Sequence, residues 1–390
     1  MFLFRRIINR KRSGIGLAIL LLLQFILASA LPASAAQSPS ADVSFASGSF
    51  RKVWERSDLP VYLHQTQRSY TWGPEGWAFG NEPYAESPNG KRLVQYFDKT
   101  RMEITRPQND PNGAYYVTNG LLVKEMVSGQ LQEGDTRFRA VTPSEVPVAG
   151  DAVNNPGPTY HSFQSVASLN LDKRVAKNTG GMVITTIDRN GTVGSNQQYG
   201  DKYNVKYSQY NNDLGHNIAD VFWNFMNQQG PVYQNGANSN GKVIDWLSTM
   251  GLPLTDAYWS QVTVAGKQQD VLIQLFERRV LTYTPANPDG FKVEMGNVGA
   301  HYYDWRYPGV GRQAPWAVVN VINDANCGAL TIALSGQDNL TLEIPNKTTK
   351  TYKLAPGTYN YKATACSFVP EIQSKTFNAG SNGDWRFFVQ

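Results

Sequence analysis

The chain is short of the residues that carry most enzymatic and metal chemistry. Its 390 residues include two cysteines and four histidines, and 17% are charged. Two cysteines exclude a cysteine-rich zinc or iron–sulfur site. His64, His161, His216 and His301 lack the spacing that would put two imidazoles on one helix face. No His-Glu-x-x-His, Gly-x-Ser-x-Gly or Gly-x-x-x-x-Gly-Lys run occurs. No metal or cofactor is therefore expected, and no catalytic residue is singled out.

An excess of one charge is also missing. The 36 Lys+Arg face 31 Asp+Glu, but Arg5, Arg6, Arg10, Lys11 and Arg12 fall in the first 35 residues, which hold no acid, leaving 31 of each. A balanced remainder has no electrostatic footprint for nucleic acid or for an anionic membrane surface. Those first residues read as a secretory signal peptide, 1–35, with a basic start, an apolar run from Ile15 to Leu31 and a small-x-small cut site at Ala33-Ser34-Ala35. The reading predicts export, with a secreted or envelope-associated product and no integral membrane segment after cleavage.

Aromatic and turn residues are abundant by contrast: 9 Trp, 20 Tyr, 17 Phe, 34 Gly and 21 Pro. That balance suits an exported, mainly β protein with a few short helices, because strands favour aromatics and turns favour Gly, Pro and Asn. Cys327 and Cys366, with 38 residues between them, are expected to form one disulfide in an oxidising compartment. Closing that loop contributes about 3–4 kcal/mol to its module in the chain-entropy account.

Two stretches echo each other. Gln95, Phe97, Asp98 and Lys99 run in the same order as Gln274, Phe276, Glu277 and Arg278, and each series closes on Val-x-x-Gly, at Val117 to Gly120 and Val293 to Gly296. Repetition at a fixed order is the mark of a repeated supersecondary unit. The expected layout is a flexible leader (36–48), α+β repeat unit 1 (49–128), a β insert or linker (129–215), repeat unit 2 (216–312) and an Ig-like β-sandwich (313–390). Apolar positions from His216 to Met226 predict one short helix opening the second unit. Trp54 is matched there with Trp223, and Trp77 with Trp246. In the tail, Leu340, Leu342 and Ile344 alternate with Thr341 and Glu343 in the two-residue period of a strand with one buried face.

Chemistry has two kinds of candidate. A carboxylate pair is what a glycan hydrolase needs; Asp98 with Glu277, or Glu86 with Asp256, are the available pairs. Their recurrence in both units favours a surface or interunit ion pair, Asp98 with Lys99 and Glu277 with Arg278, over an active site built once. Aromatic rings on turns are the other kind, since a flat ring presents an apolar face to a ligand. Tyr258, Trp259, Trp72 and Trp305 are the ligand-contact candidates, and Tyr258-Trp259 has no counterpart in the first unit.

The order Gly-x-Pro, Gly-Lys hairpin, Gln-x-Phe-acid and Val-x-x-Gly, carried by Gly251-Leu252-Pro253, Gly266-Lys267, Gln274 to Glu277 and Val293 to Gly296, resembles repeats of secreted proteins from filamentous environmental bacteria. It is distantly similar to the LGFP-type cell-surface repeats. The resemblance implies envelope association and wall-glycan binding without enzymatic activity. The expected function is thus an exported, non-catalytic binding or scaffold protein with a cell-wall polymer or polysaccharide as partner. A glycan hydrolase and a purely structural envelope spacer are the alternatives.

Overall fold

The computed structural model describes residue 40 and residues 42–312, 316–366 and 371–388. The expected signal peptide lies outside them. The fold is mainly β with a few short helices: 23 strands and six α-helices among the described residues.

The first unit opens with α1 (Gly48–Tyr62), whose N-cap Ser47 accepts from Ser49 N through its side chain. An antiparallel meander follows, β1 (Gly76–Pro83), β2 (Lys91–Phe97), β3 (Thr100–Ile104) and β4 (Thr118–Asn119), and then α2 (Leu122–Ser128). Residues 129–215 supply the hairpin β5 (Gln130–Gln132) and β6 (Phe138–Ala140), the hairpin β7 (Thr185–Ile187) and β8 (Val193–Ser195), α3 (Gln197–Tyr203), and β9 (Tyr207–Asn211).

The second unit then runs β10 (His216–Ala219), α4 (Asp220–Met226), the hairpin β11 (Gln229–Gln234) and β12 (Ala237–Lys242), and α5 (Trp246–Met250). Its own antiparallel meander is β13 (Tyr258–Val264), β14 (Lys267–Leu275), β15 (Val280–Tyr283) and β16 (Val293–Met295), closed by α6 (Val298–Arg306). The opening segment is thus half strand and half helix. His216–Ala219 pairs with β9, and only Asp220 onward is helical.

Matched residues make matched contacts in the two meanders. Gln95 Oε1 accepts from Ala46 N at 2.8 Å while its Nε2 donates to Ser44 O at 3.0 Å. Gln274 repeats the grip, accepting from Ala219 N at 3.4 Å and donating to Asn217 O at 2.8 Å. Each buried amide thereby satisfies the backbone that leads into a helix, a use of Gln that its one acceptor and two donors permit. Phe97 and Phe276 are fully buried beside them.

The units are also crossed. Lys99 Nζ donates to Met295 O, on the last strand of the other meander, at 2.8 Å. Arg278 Nη1 donates to Asn119 O, the equivalent position on β4. α6 of the second unit rests on the first unit's β2–β3 turn, Ala300 N to Asp98 O at 3.1 Å, and α2 rests on the β14–β15 turn, Lys124 N to Glu277 O at 3.1 Å. Gly299 is required for this approach, because a Cβ there would stand 2.0 Å from Phe97 O. Acid and base of each Asp98-Lys99 and Glu277-Arg278 pair therefore do not bridge one another. Each base instead spans the seam to a carbonyl.

Two tryptophan matches shift register, and so does the turn Gly80-Asn81-Glu82-Pro83, expected to correspond to Gly251-Leu252-Pro253. Trp77 lies on β1 and donates to Asp98 at 3.1 Å, whereas Trp246 lies on α5 against Trp223. Trp54 is fully buried and donates to Gly73 O at 2.8 Å, while Trp223 is only half-buried. Gly80-Asn81-Glu82-Pro83 is strand, and Gly73, whose φ is +136°, abuts the β2–β3 turn as Gly251, at +76°, abuts the β14–β15 turn.

Two segments are more integrated than their composition suggests. Val43, Phe45 and Ala46 of the expected flexible leader are buried, packed with Phe50, Trp54 and Phe97. The 129–215 segment shares the core: β7 pairs parallel with β13 and extends the second meander into the six-stranded order β16-β15-β14-β13-β7-β8. Tyr160 and Phe163 join Val94, Leu122, Ile273 and Val298 in one hydrophobic cluster that spans both units.

The tail holds β17 (Ala317–Asn323), β18 (Leu330–Ser335), β19 (Leu340–Ile344), β20 (Thr349–Leu354), β21 (Gly357–Thr364), β22 (Gln373–Phe377) and β23 (Asn382–Phe387). The inner residues of both its sheets alternate with outer ones and meet in a single core, as in a β-sandwich. Its order departs from an Ig domain, in which the first, second, fifth and fourth strands share a sheet. Here β17 pairs with β20 and, in parallel, with β23, while β18 lies in the other sheet, β19-β18-β21-β22. Cys327 and Cys366 are disulfide-bonded. Arg51 of α1 pins the tail through a bidentate contact to Asp338, at 2.6 and 3.2 Å, with both side chains under a tenth exposed.

Candidate functional site

Three of the four aromatic candidates are core residues. Trp259 is fully buried, donates to Val183 O at 2.8 Å, and stacks on the Tyr199–Tyr203 pair of α3 with centroids at 5.0 and 4.7 Å. Tyr258 packs edge-on against Phe163 at 6.3 Å and is buried. Trp72 is buried, with its indole N–H on Ser57 Oγ at 2.9 Å and the Arg279 guanidinium 5.0 Å from its ring. Trp305 is half-buried and donates to Thr142 O at 2.9 Å. Tyr258-Trp259 is unmatched in the first unit because β13 is an interior strand covered on both faces, so its side chains point into protein either way.

The carboxylate candidates are all engaged. Asp98 accepts from Trp77; Glu277 accepts from Leu252 N at 3.1 Å and reaches Lys124 of α2, across the seam, at 4.0 Å. Asp256 is buried and accepts from Asn217 N at 2.8 Å, while Glu86 is exposed and accepts from Asp135 N at 2.9 Å. His216, fully buried, faces Asp256 at 3.3 Å and Ser168 at 2.8 Å.

What the sequence reading missed is a buried ionic network at the seam. Arg101 meets Glu82 at 2.9 Å and Glu103 at 2.6 Å; Arg92 meets Glu103 at 2.8 Å; Arg306 of α6 meets Glu82 at 3.3 Å and Glu125 of α2 at 3.9 Å. Tyr96, Tyr302 and Tyr307 donate to these carboxylates. Three guanidinium groups balance three carboxylates, and that is what lets the group stay buried. Burial alone would raise the Glu82 carboxyl, but Arg101, Arg306 and Arg92 overcome it and bring it down to about 2. Glu125 goes the other way, raised by burial despite Arg101. The signal was available: Arg101 and Glu103, two apart on one strand, share a face.

A cavity of about 230 Å³ opens over this network, lined by Tyr84, Arg92, Glu103, Tyr116, Asn119 and Arg278. Arg92 is 2% exposed, and its Nε, like that of Arg278, is buried without a hydrogen-bond partner. The seam has a second cavity of about 240 Å³ at the corresponding place in the other unit, where Lys99 replaces Arg278 and Met295 replaces Asn119, with Glu294 and His301 also lining it. His301 Nδ1 lies 3.0 Å from the Tyr160 hydroxyl, and burial, reinforced by Arg312 and Lys99 against Asp304, lowers the imidazole to about 4.

The tail carries a third cavity, of about 430 Å³, lined by Tyr361, Trp385, Phe387, Phe388, Gln373 and Arg386. Tyr361 and Trp385 meet edge to face at 4.7 Å, and Phe388 is 61% exposed. None of Asp98, Glu277, Glu86 and Asp256 lines the Arg278 cavity or the tail cavity. Among the described residues no cluster of His, Cys, Asp or Glu is placed to hold a metal ion, and no helix is long and apolar enough to cross a membrane. No protein-family model matches the chain, and no curated protein matches it.

Proposed function

We propose that the protein is exported and acts at the cell surface as a non-catalytic binding or scaffold protein, with a cell-wall polymer or polysaccharide as partner. The tail cavity is the observation that carries the reading. Its volume falls within the range of about 300–1,000 Å³ usual for ligand pockets, and aromatic walls with a few polar groups are the usual composition of one. Tyr361 and Phe388 offer ring faces to a sugar, while Gln373 and Arg386 stand at the rim for its hydroxyls. Export is supported by the leader pattern of 1–35 and by the Cys327–Cys366 disulfide.

Retention on purified cell wall and on a glycan array tests this. The wild type should be retained, and Phe388→Ala with Gln373→Ala should lose retention while keeping the wild-type melting temperature. Release of reducing ends from a wall polysaccharide, abolished by Glu277→Gln, would establish the hydrolase alternative instead. No retention of the wild type on any glycan would leave the structural spacer.

A further inference from the structure

The geometry points to the seam cavity at Arg278 as a binding site for an oxyanion, a carboxylate or phosphate group borne by a polymer or a small solute. This site is independent of the tail cavity. The two cavities of the seam are alike in build and differ in charge. Their volumes are about 230 and 240 Å³, and each has a base reaching across to the last strand of the opposite meander. In the Lys99 cavity the chain provides the counter-charge: Glu294, one residue before Met295, lines the wall and attracts the Lys99 ammonium. In the Arg278 cavity the residue one before Asn119 is Thr118, which carries no charge.

Nothing else supplies that charge. Among the described residues Arg278 makes no ion pair; it donates to a carbonyl, and Arg279 beside it adds a second positive charge whose hydrogen bonds go to Thr71 O, Lys99 O and other neutral oxygens. Glu103, the acid on the wall, is already shared by Arg92 and Arg101. The Arg92 and Arg278 side chains both line this space, and each also buries an Nε that has no hydrogen-bond partner. A guanidinium offers its fork to planar oxyanions in preference to other partners. Tyr116 joins the wall, while the Tyr84 hydroxyl and the Asn119 amide donate to Asp135 and Ser248 O, and the volume is below that of a pocket for a whole oligomer.

Thermal shift of the purified chain, with inorganic phosphate, D-galacturonate or D-galactose added at ionic strength matched by chloride, tests the assignment. A bound solute raises the melting temperature by mass action. Phosphate, galacturonate or both should raise it, and galactose should not; phosphate alone identifies a phosphate-bearing source, galacturonate alone an acidic sugar. Arg278→Lys keeps the charge and the carbonyl bond but loses the fork, and should weaken binding at least tenfold. Thr118→Glu installs the carboxylate that the sister cavity already has; it stands opposite Glu103 on β3 and costs some stability, but the chain should still fold cooperatively and the shift should be abolished. No shift with either oxyanion, an equal shift with galactose, or Thr118→Glu binding as the wild type does would overturn the proposal.

Discussion

Arg279 is the residue whose removal should loosen the seam most. It is fully buried, and its Nη1 donates to Lys99 O at 2.7 Å and Thr71 O at 3.0 Å, both in the opposite unit. Contacts to Thr249 O at 3.4 Å and Asn119 Oδ1 at 3.5 Å are long and count for little. Burial pulls the guanidinium down to about 9, with Asp58 opposing, so the charge itself is held at a cost. Arg279→Met relieves that cost and keeps apolar contact with Trp72, but it leaves two buried carbonyls without donors. Each such orphan costs roughly 1–3 kcal/mol, and Asp58 loses one of the positive charges that attract it. The net loss is about 3–5 kcal/mol, the range found when one member of a buried charged pair is removed. Urea unfolding followed by tryptophan fluorescence reads it, because Trp54, Trp72 and Trp259 report on the units. Arg279→Lys, which keeps the charge and a single donor nitrogen in place of the fork, should fall between wild type and Arg279→Met. A loss below about 1 kcal/mol for Arg279→Met would show that the carbonyls find water, and that the seam is not held by this residue.

Three further predictions follow from single contacts. Ala265 sits at φ +50° in the two-residue turn between β13 and β14, held by Asp151, so Ala265→Gly should stabilise by up to about 1 kcal/mol in thermal melts. His301 is lowered from its ordinary 6.5 to about 4, so the unfolded chain takes up a proton first as pH falls from 6.5 toward 4, and stability declines across that window by at most about 1.4 kcal/mol per unit. The ring is partly reached by solvent, so the realised slope is smaller, and His301→Gln should flatten it without touching the loss below pH 4.5, where carboxylates held low in the folded state, Glu82 at about 2 among them, take up protons on unfolding. Asp338→Asn leaves Arg51 buried without its carboxylate and should free the tail to unfold separately, seen as a second calorimetric transition.

Much of the frame was legible from residue order and period. The alternation at Leu340, Leu342 and Ile344 marks a half-buried strand, and Leu340–Ile344 is one with the burial that pattern demands. Cys327 and Cys366 could be paired by compartment and proximity alone. The site was not legible, for a physical reason that the aromatics show. A Trp beside turn residues is written the same way whether its ring meets solvent or, like Trp259, a pair of tyrosines from a helix 60 residues earlier. Position on an edge or an interior strand decides, and that is set by β7 joining β13 through long-range pairing. The ionic network escaped for a related reason: Arg92 and Arg101 meet on Glu103 through the pairing of β2 with β3, and only the crossing of α6 onto the first unit adds Arg306.

That crossing also explains why the Gln-x-Phe-acid-base order occurs twice in one chain. Gln95 and Gln274 each act within their own unit, but Lys99 and Arg278 act on the other, as do the helices that follow each meander. A single unit would leave a base, a turn carbonyl and a helix end unsatisfied, together with half of a core that mixes Val94 and Leu122 with Ile273 and Val298. Two units satisfy one another, so the shared residues are spent on holding the seam closed. Variation is then free to collect where the exchange leaves space. Lys99 with Glu294 closes one such space by an internal attraction; Arg278 opposite Thr118 leaves the other open to an outside charge. Exchanging those acids, by Glu294→Thr in a Thr118→Glu background, should move oxyanion binding from one side of the seam to the other while leaving the fold as it is.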